Sequence, residues 1–259
     1  MSAGSWIELA LQRDRLLVVL GLVAVIIAAW AYLLAGAGMS MHEMNGMLMP
    51  MRSEPWTIGY AALVLAMWAV MMAAMMLPSA APMILFYGTI ARARRARGEL
   101  AVGSGVFAGG YLVVWAAFSL AAVGLQFGAE QAALLSPMME MTSIGLSGAL
   151  LIAAGLYQWT PLKQACLRRC RSPLEFVLTQ WREGMRGAFT MGLKHGAYCL
   201  GCCWLLMLLL FVGGVMNFAW IAGLALFVLV EKWAPAGHWI GRAAGAGLIV
   251  WGGATLVAL

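Results

Sequence analysis

Acidic side chains are scarce in this chain, with 10 Asp and Glu among 259 residues, and charged residues of both signs make up only 10 %. Hardly any carboxylate falls inside an apolar run, which argues against an ion-driven carrier built on several buried acids. There is no phosphate-cradling glycine loop, no Gly-x-Ser-x-Gly elbow and no His-Glu-x-x-His helix, so hydrolysis has no visible apparatus and the chain is not expected to be an enzyme. Cysteine is sparse and odd in number. Cys166 and Cys170 sit in a basic stretch and Cys199, Cys202 and Cys203 in an apolar one, a distribution unlike a disulfide framework. A cleavable signal is not expected either, because the first apolar segment exceeds the 7–15 residues typical of a signal core.

What is abundant is apolar surface: 64 % of residues are hydrophobic and the mean hydropathy is +0.89. An ordinary soluble domain is excluded. At about 20 apolar residues per crossing, the pattern predicts an all-α transmembrane helical bundle of about seven spans in one integral membrane domain, 1–259. The spans are expected near 16–37, 58–87, 103–126, 141–159, 191–212, 216–233 and 239–258. Between them lie a Met-rich loop over 38–57 and basic loops at 91–99 and 160–190, the latter with a short interfacial helix near 173–183. Pro78 and Pro82 predict a kink or break late in the second span, since each removes a helical donor. Gly241, Gly245 and Gly247 suit close packing of the last one. Placing the N-terminus in the cytoplasm puts 15 of the 16 Lys and Arg inside and only Arg52 outside. The net charge of +6 therefore reports orientation; the expected partner is the lipid bilayer and not nucleic acid.

Three groups of soft donors stand out. On a helix at about 100° per residue, His195, Cys199, Cys202, Cys203 and Met207 fall within an arc of roughly 140°, at membrane depth, where polar groups are costly. Met67, Met71, Met72, Met75, Met76 and Met83 crowd the second span, with ordinary packing as the competing explanation. Met39, Met41, Met44, Met47, Met49 and Met51, joined by His42 and Glu43, fill the outer loop, where metal capture competes with a hydrophobic plug. Thiols and thioethers select a soft ion, Cu(I) above all. A thiol and imidazole set is also workable for zinc, and Cys199-x-x-Cys202 for dithiol redox chemistry. Glu231 and Lys232 end the sixth span; snorkelling anchors are the simpler explanation, with charge balance for a bound cation by Glu231 as the functional one. Asn217 is placed to cap that helix. Cys166 and Cys170, spaced Cys-x-x-x-Cys among arginines, could receive metal on the cytoplasmic side, with solvated loop thiols as the simpler explanation.

The stretches MWAVMMAAMMLPSAAPMILFY (67–87) and GLKHGAYCLGCCW (192–204), followed by GGVMN and EK, resemble a bacterial family described as predicted metal-binding integral membrane proteins. The matching residues are Met71, Met72, Met75, Met76, Pro78, Ser79 and Pro82, then Cys199, Gly201, Cys202, Cys203, Trp204, Met216, Asn217, Glu231 and Lys232; the Met-rich loop lies outside the shared pattern. The resemblance implies a bound metal and no established reaction. The resulting expectation is a multi-pass protein of the bacterial inner membrane that handles Cu(I) in acquisition, delivery or metalloprotein assembly. Its partner would be a periplasmic metallochaperone or a membrane metalloenzyme. A transmembrane thiol redox carrier using Cys199 and Cys202 and a non-catalytic assembly subunit of a larger complex remain the alternatives.

Overall fold

The computed structural model describes the backbone of residues 3–37, 40–44, 47–51, 55–137 and 139–258, and the side chains of 16–37, 55–137 and 139–258. Apart from one short hairpin, the regular structure there is helical: α1 (Ala3–Leu34), α2 (Ile58–Ala96), α3 (Ser104–Gln131), α4 (Ile144–Tyr157), α5 (Pro161–Arg171), α6 (Pro173–Gln180), α7 (Gly184–Leu208), α8 (Leu210–Gly213), α9 (Phe218–Trp233) and α10 (Gly237–Val257). Short polar side chains begin several of them by accepting an orphan backbone N–H: Thr57 for α2, Ser143 for α4, Thr160 for α5, and Asn217 for α9 as its sequence position suggested.

Among the described residues, five helical segments are long and apolar enough to cross a membrane: Leu16–Leu34, Ile58–Ala96, Ser104–Gln131, Gly184–Gly213 and Gly237–Val257. α4 and α9, expected as spans, have 14 and 16 residues. At 1.5 Å per residue they reach about 21 and 24 Å, short of a hydrocarbon core of about 30 Å. Large apolar side chains such as Ile27, Leu120, Leu226 and Val250 point outward from the helices, as suits surfaces facing lipid tails.

α2 corrects two expectations. It runs unbroken through Pro78 and Pro82 for 39 residues, about 58 Å, and takes up most of the basic segment read as a loop at 91–99. In the proline-bearing stretch the Ser79 hydroxyl and the Tyr111 hydroxyl both donate to the Met76 carbonyl, at 2.9 and 3.1 Å. Neighbouring side chains of this kind let a membrane helix absorb proline. In the stretch 160–190 the short helix expected near 173–183 is present as α6, but α5 precedes it where loop was expected, and α7 already begins at Gly184. The Met-rich segment forms an antiparallel hairpin, Ser40–Met44 with Met47–Met51, in which His42 faces Met49 in register. Met39 lies outside the described residues, as do the side chains of Met41, His42, Met44, Met47, Met49 and Met51.

Two glycine seams set the packing. A Cβ on Gly192 would fall 2.0 Å from the Phe107 carbonyl oxygen and one on Gly110 2.2 Å from that of Phe189, so α3 and α7 touch backbone to backbone. Gly192 and Gly196 form the small-xxx-small spacing that permits this. α4 and α10 meet in the same way through Gly148, Gly155, Gly245 and Gly252, and Gly241 lies against the Glu231 carboxylate. Gly247, expected in that seam, faces open space. α2 packs on α1, α3 and α9, and α5 lies across α7.

A candidate metal centre of buried thiols

Glycine contact at the α3–α7 seam brings Tyr111 of α3 against the thiol face of α7. His195, Cys199, Cys202, Cys203 and Met207 are all buried, none more than 3 % exposed. The hub is the Cys199 sulfur. The Lys232 ammonium of α9 donates to it from 2.9 Å, and the Tyr111 hydroxyl lies 3.1 Å away in a shared hydrogen bond. The Cys202 and Cys203 thiols both donate to the Cys199 carbonyl oxygen at 3.0 Å.

Lys232 reverses the expectation of a snorkelling anchor. It is 7 % exposed and also donates to the Ser79 hydroxyl of α2 at 3.0 Å. Its neighbour Glu231 is wholly buried, with its carboxylate oxygens 2.8 and 2.9 Å from the ammonium of buried Lys163 on α5. About two helix turns further along α5, Arg171 donates to the carbonyls of Ala234 and Pro235, the second at 2.9 Å. α5 is therefore fastened to the α9–α10 corner by two cations.

That fastening carries Cys166 and Cys170 onto the thiol face. They are not solvated loop residues: a Cβ on Gly201 would meet the Cys166 sulfur at 2.8 Å, and the Cys170 thiol interacts with those of Cys199 and Cys202. Burial pushes the Cys166 thiol up from its usual pKa, while Cys170 is raised well above it by its hydrogen bonds to Cys199 and Cys202 and then by burial. All five cysteines are free thiols. Their Cys-x-x-x-Cys spacing puts Cys166 and Cys170 one turn apart on one face once the stretch is helical, which is the signal a loop assignment hides.

The other predicted donors separate. His195 is packed among Phe107, Tyr111 and Phe176, ring centroids 5.9, 5.8 and 5.5 Å away, and its Nδ1 has no hydrogen-bond partner. Met71, Met72, Met75 and Met76 are buried, but α2 and α7 do not form a packed pair; each packs on α3 and touches α9. What joins α2 to the thiols is the Met76 carbonyl through Tyr111 and the Ser79 hydroxyl through Lys232. Tyr111 carried no signal in the sequence.

The donor chemistry fits a soft ion. The geometry is that of a hydrogen-bonded thiol cluster: among the described residues, no group of three or more His, Cys, Asp or Glu is arranged to hold a metal. Cu(I) needs only two sulfurs in line, whereas a structural zinc site needs four ligands already arranged as a tetrahedron.

No curated protein and no solved structure matches the sequence. The profile of one protein family, PpoB2, described as a copper chaperone, matches residues 65–255. The match spans α2 from Leu65 to near the end of α10, takes in every thiol and both of its cationic and hydroxyl partners, and leaves out α1 and the Met-rich hairpin. On that coverage the chain belongs to the PpoB2 family of copper chaperones.

Proposed function

We propose that this protein holds Cu(I) within the membrane on the thiols around Cys199 and passes it on in copper acquisition, delivery or metalloprotein assembly. The observation that carries this reading is the Lys232 ammonium 2.9 Å from the Cys199 sulfur. Cu(I) on two thiolates is a net anion, which is costly at membrane depth unless a cation neutralises it. Lys232 supplies that cation, whereas Glu231, first considered for charge balance, is neutralised by Lys163. Cys199 and Cys202 are the favoured ligand pair, with Cys203 and Cys170 adjacent and His195, Met207 and the α2 methionines as an outer soft lining. Cu(I) is preferred to zinc because the donors do not form a ready tetrahedron.

The bundle is read as seven spans in the bacterial inner membrane, N-terminus in the cytoplasm. Supporting this are the one-sided distribution of Lys and Arg and the packing of α4 on α10 and of α9 on α2. In that orientation the Met-rich hairpin faces the periplasm and would collect the ion from a periplasmic metallochaperone; a membrane metalloenzyme is the matching acceptor. Transfer from thioether to thiolate runs toward the tighter ligand, which favours uptake or storage over export.

The test is the copper content of the purified protein after washing with a competing chelator, for wild type and for a triple variant Cys199→Ser, Cys202→Ser, Cys203→Ser. Copper retained by wild type and lost by the variant is the expected result. Equal and negligible metal in both would sink the reading. A reversible Cys199–Cys202 disulfide in place of bound copper would favour the redox carrier.

A further inference from the structure

The Cys199, Cys202 and Cys203 thiols are at most 1 % exposed, so no donor or acceptor of copper can touch them directly. Ligand exchange at Cu(I) requires the incoming sulfur to reach the metal, and so a partly exposed sulfur in contact with the buried ones is needed. Cys170 is half-buried and sits on α5 where that helix packs on α7, its thiol beside those of Cys199 and Cys202. It also lines a cleft of about 280 Å³ on the face bearing α5 and α6, together with Ser79 and with Lys232, whose ammonium donates to both the Ser79 hydroxyl and the Cys199 sulfur. Cys166 does not line this cleft.

The cleft has a definite chemistry. Its charged lining is Arg171 and Lys232, with no carboxylate, and the Met83 thioether adds a second soft donor. A neighbouring cleft of about 560 Å³ shares Arg171 and adds Arg168, His238 and Arg242, again without a carboxylate. Positive walls of this kind concentrate anions and speed their arrival. The volume lies at the low end of small-molecule pockets, which begin near 300 Å³, and so suits a small carrier.

Resting on the Cu(I) reading above, we infer that Cys170 is the exchange thiol through which copper passes between the buried Cys199–Cys202 pair and a small, carboxylate-bearing thiol carrier seated in this cleft. In the loading direction, the bond from copper to the carrier sulfur breaks as one to the Cys170 sulfur forms. The Cys170 thiol proton goes to the departing carrier thiolate, and copper stays Cu(I) throughout. Repeating the exchange with Cys199 returns a proton to Cys170, and Cys202 then displaces the remaining carrier sulfur, its thiol proton leaving on that carrier thiolate, which completes the transfer.

The experiment follows bound copper against time and at its plateau in the purified full-length protein. Cu(I) is supplied as its mercaptosuccinate complex, which its carboxylates make strongly anionic, or as its 2-mercaptoethanol complex, which carries no carboxylate. Loss of the partly exposed thiol of this cleft in Cys170→Ser and Cys170→Ala should slow loading by about tenfold or more, as access controls thiolate exchange, with an unchanged plateau. Wild type should load faster from the anionic complex, an advantage that Arg171→Gln removes and Arg97→Gln, on an exposed site elsewhere, keeps. Unchanged rates in both Cys170 variants would overturn the inference, as would a plateau that falls in step with the rate, which would make Cys170 a permanent ligand. If Arg171→Gln fails to fold, the Cys170 arm still decides. A wild type that takes copper from neither complex overturns the Cu(I) reading itself, whereas copper uptake indifferent to Cys170 overturns only the exchange role.

Discussion

Replacing Lys163 with Met would leave the Glu231 carboxylate buried and without its cation. Both side chains are fully shielded and their charged atoms are 2.8–2.9 Å apart, so the carboxylate has no route to water. Breaking a buried pair by removing one partner costs about 3–5 kcal/mol, and at roughly 2–4 °C per kcal/mol for a chain of this size the melting temperature should fall by about 6–20 °C. The double variant Lys163→Met, Glu231→Leu removes both charges, and such replacements are often neutral, so it should regain most of the loss. The assay is thermal unfolding in mild detergent for wild type, both single variants and the double variant, giving a coupling energy. A double variant no better than the worse single one would refute the reasoning. It would mean that the pair is not an isolated charge balance and that α5 is held to α9 by something else.

Other expectations follow from the same coordinates. Gly192→Ala drives a Cβ to 2.0 Å from the Phe107 carbonyl; overpacking of about 1–3 kcal/mol should lower the melting temperature by several degrees. Gly109→Ala, with nothing within 4 Å of its Cβ, should leave it unchanged, and equal effects from the two would argue against the backbone contact of α3 and α7. Reporter fusions at the two termini should locate them on opposite faces if α4 and α9 complete the crossings; reporters on the same face would exclude an odd number of spans.

Periodicity and hydropathy made the helical bundle legible, and the i, i+4, i+7, i+8, i+12 spacing of His195, Cys199, Cys202, Cys203 and Met207 puts those residues on one helix face. What remained hidden was every contact across helices. Tyr111 is one aromatic among many in the third helix, and only the Gly110–Gly192 contact brings it to Cys199. Cys166 and Cys170 were misread because a run of arginines suggested a solvated loop; Pro161 and Thr160 instead start a helix, and buried Lys163 turns it onto α7 and α9. Lys232 was taken for an interfacial anchor because local sequence shows a charge at a helix end and not the sulfur waiting for it. The break allowed for at proline does not occur, for a related reason: hydroxyls from Ser79 and Tyr111, invisible in a propensity, support the backbone through that stretch.

The adjacent charges at the foot of α9 have a further effect. Consecutive helical residues diverge by about 100°, so Glu231 and Lys232 face different neighbours, and each already has its own counterpart in Lys163 and Cys199. Turning the helix by one position would set a carboxylate beside the sulfur and strand an ammonium. The register of this helix is thus locked like a two-pronged plug, and any movement that opens the bundle must tilt or slide α9 rather than spin it.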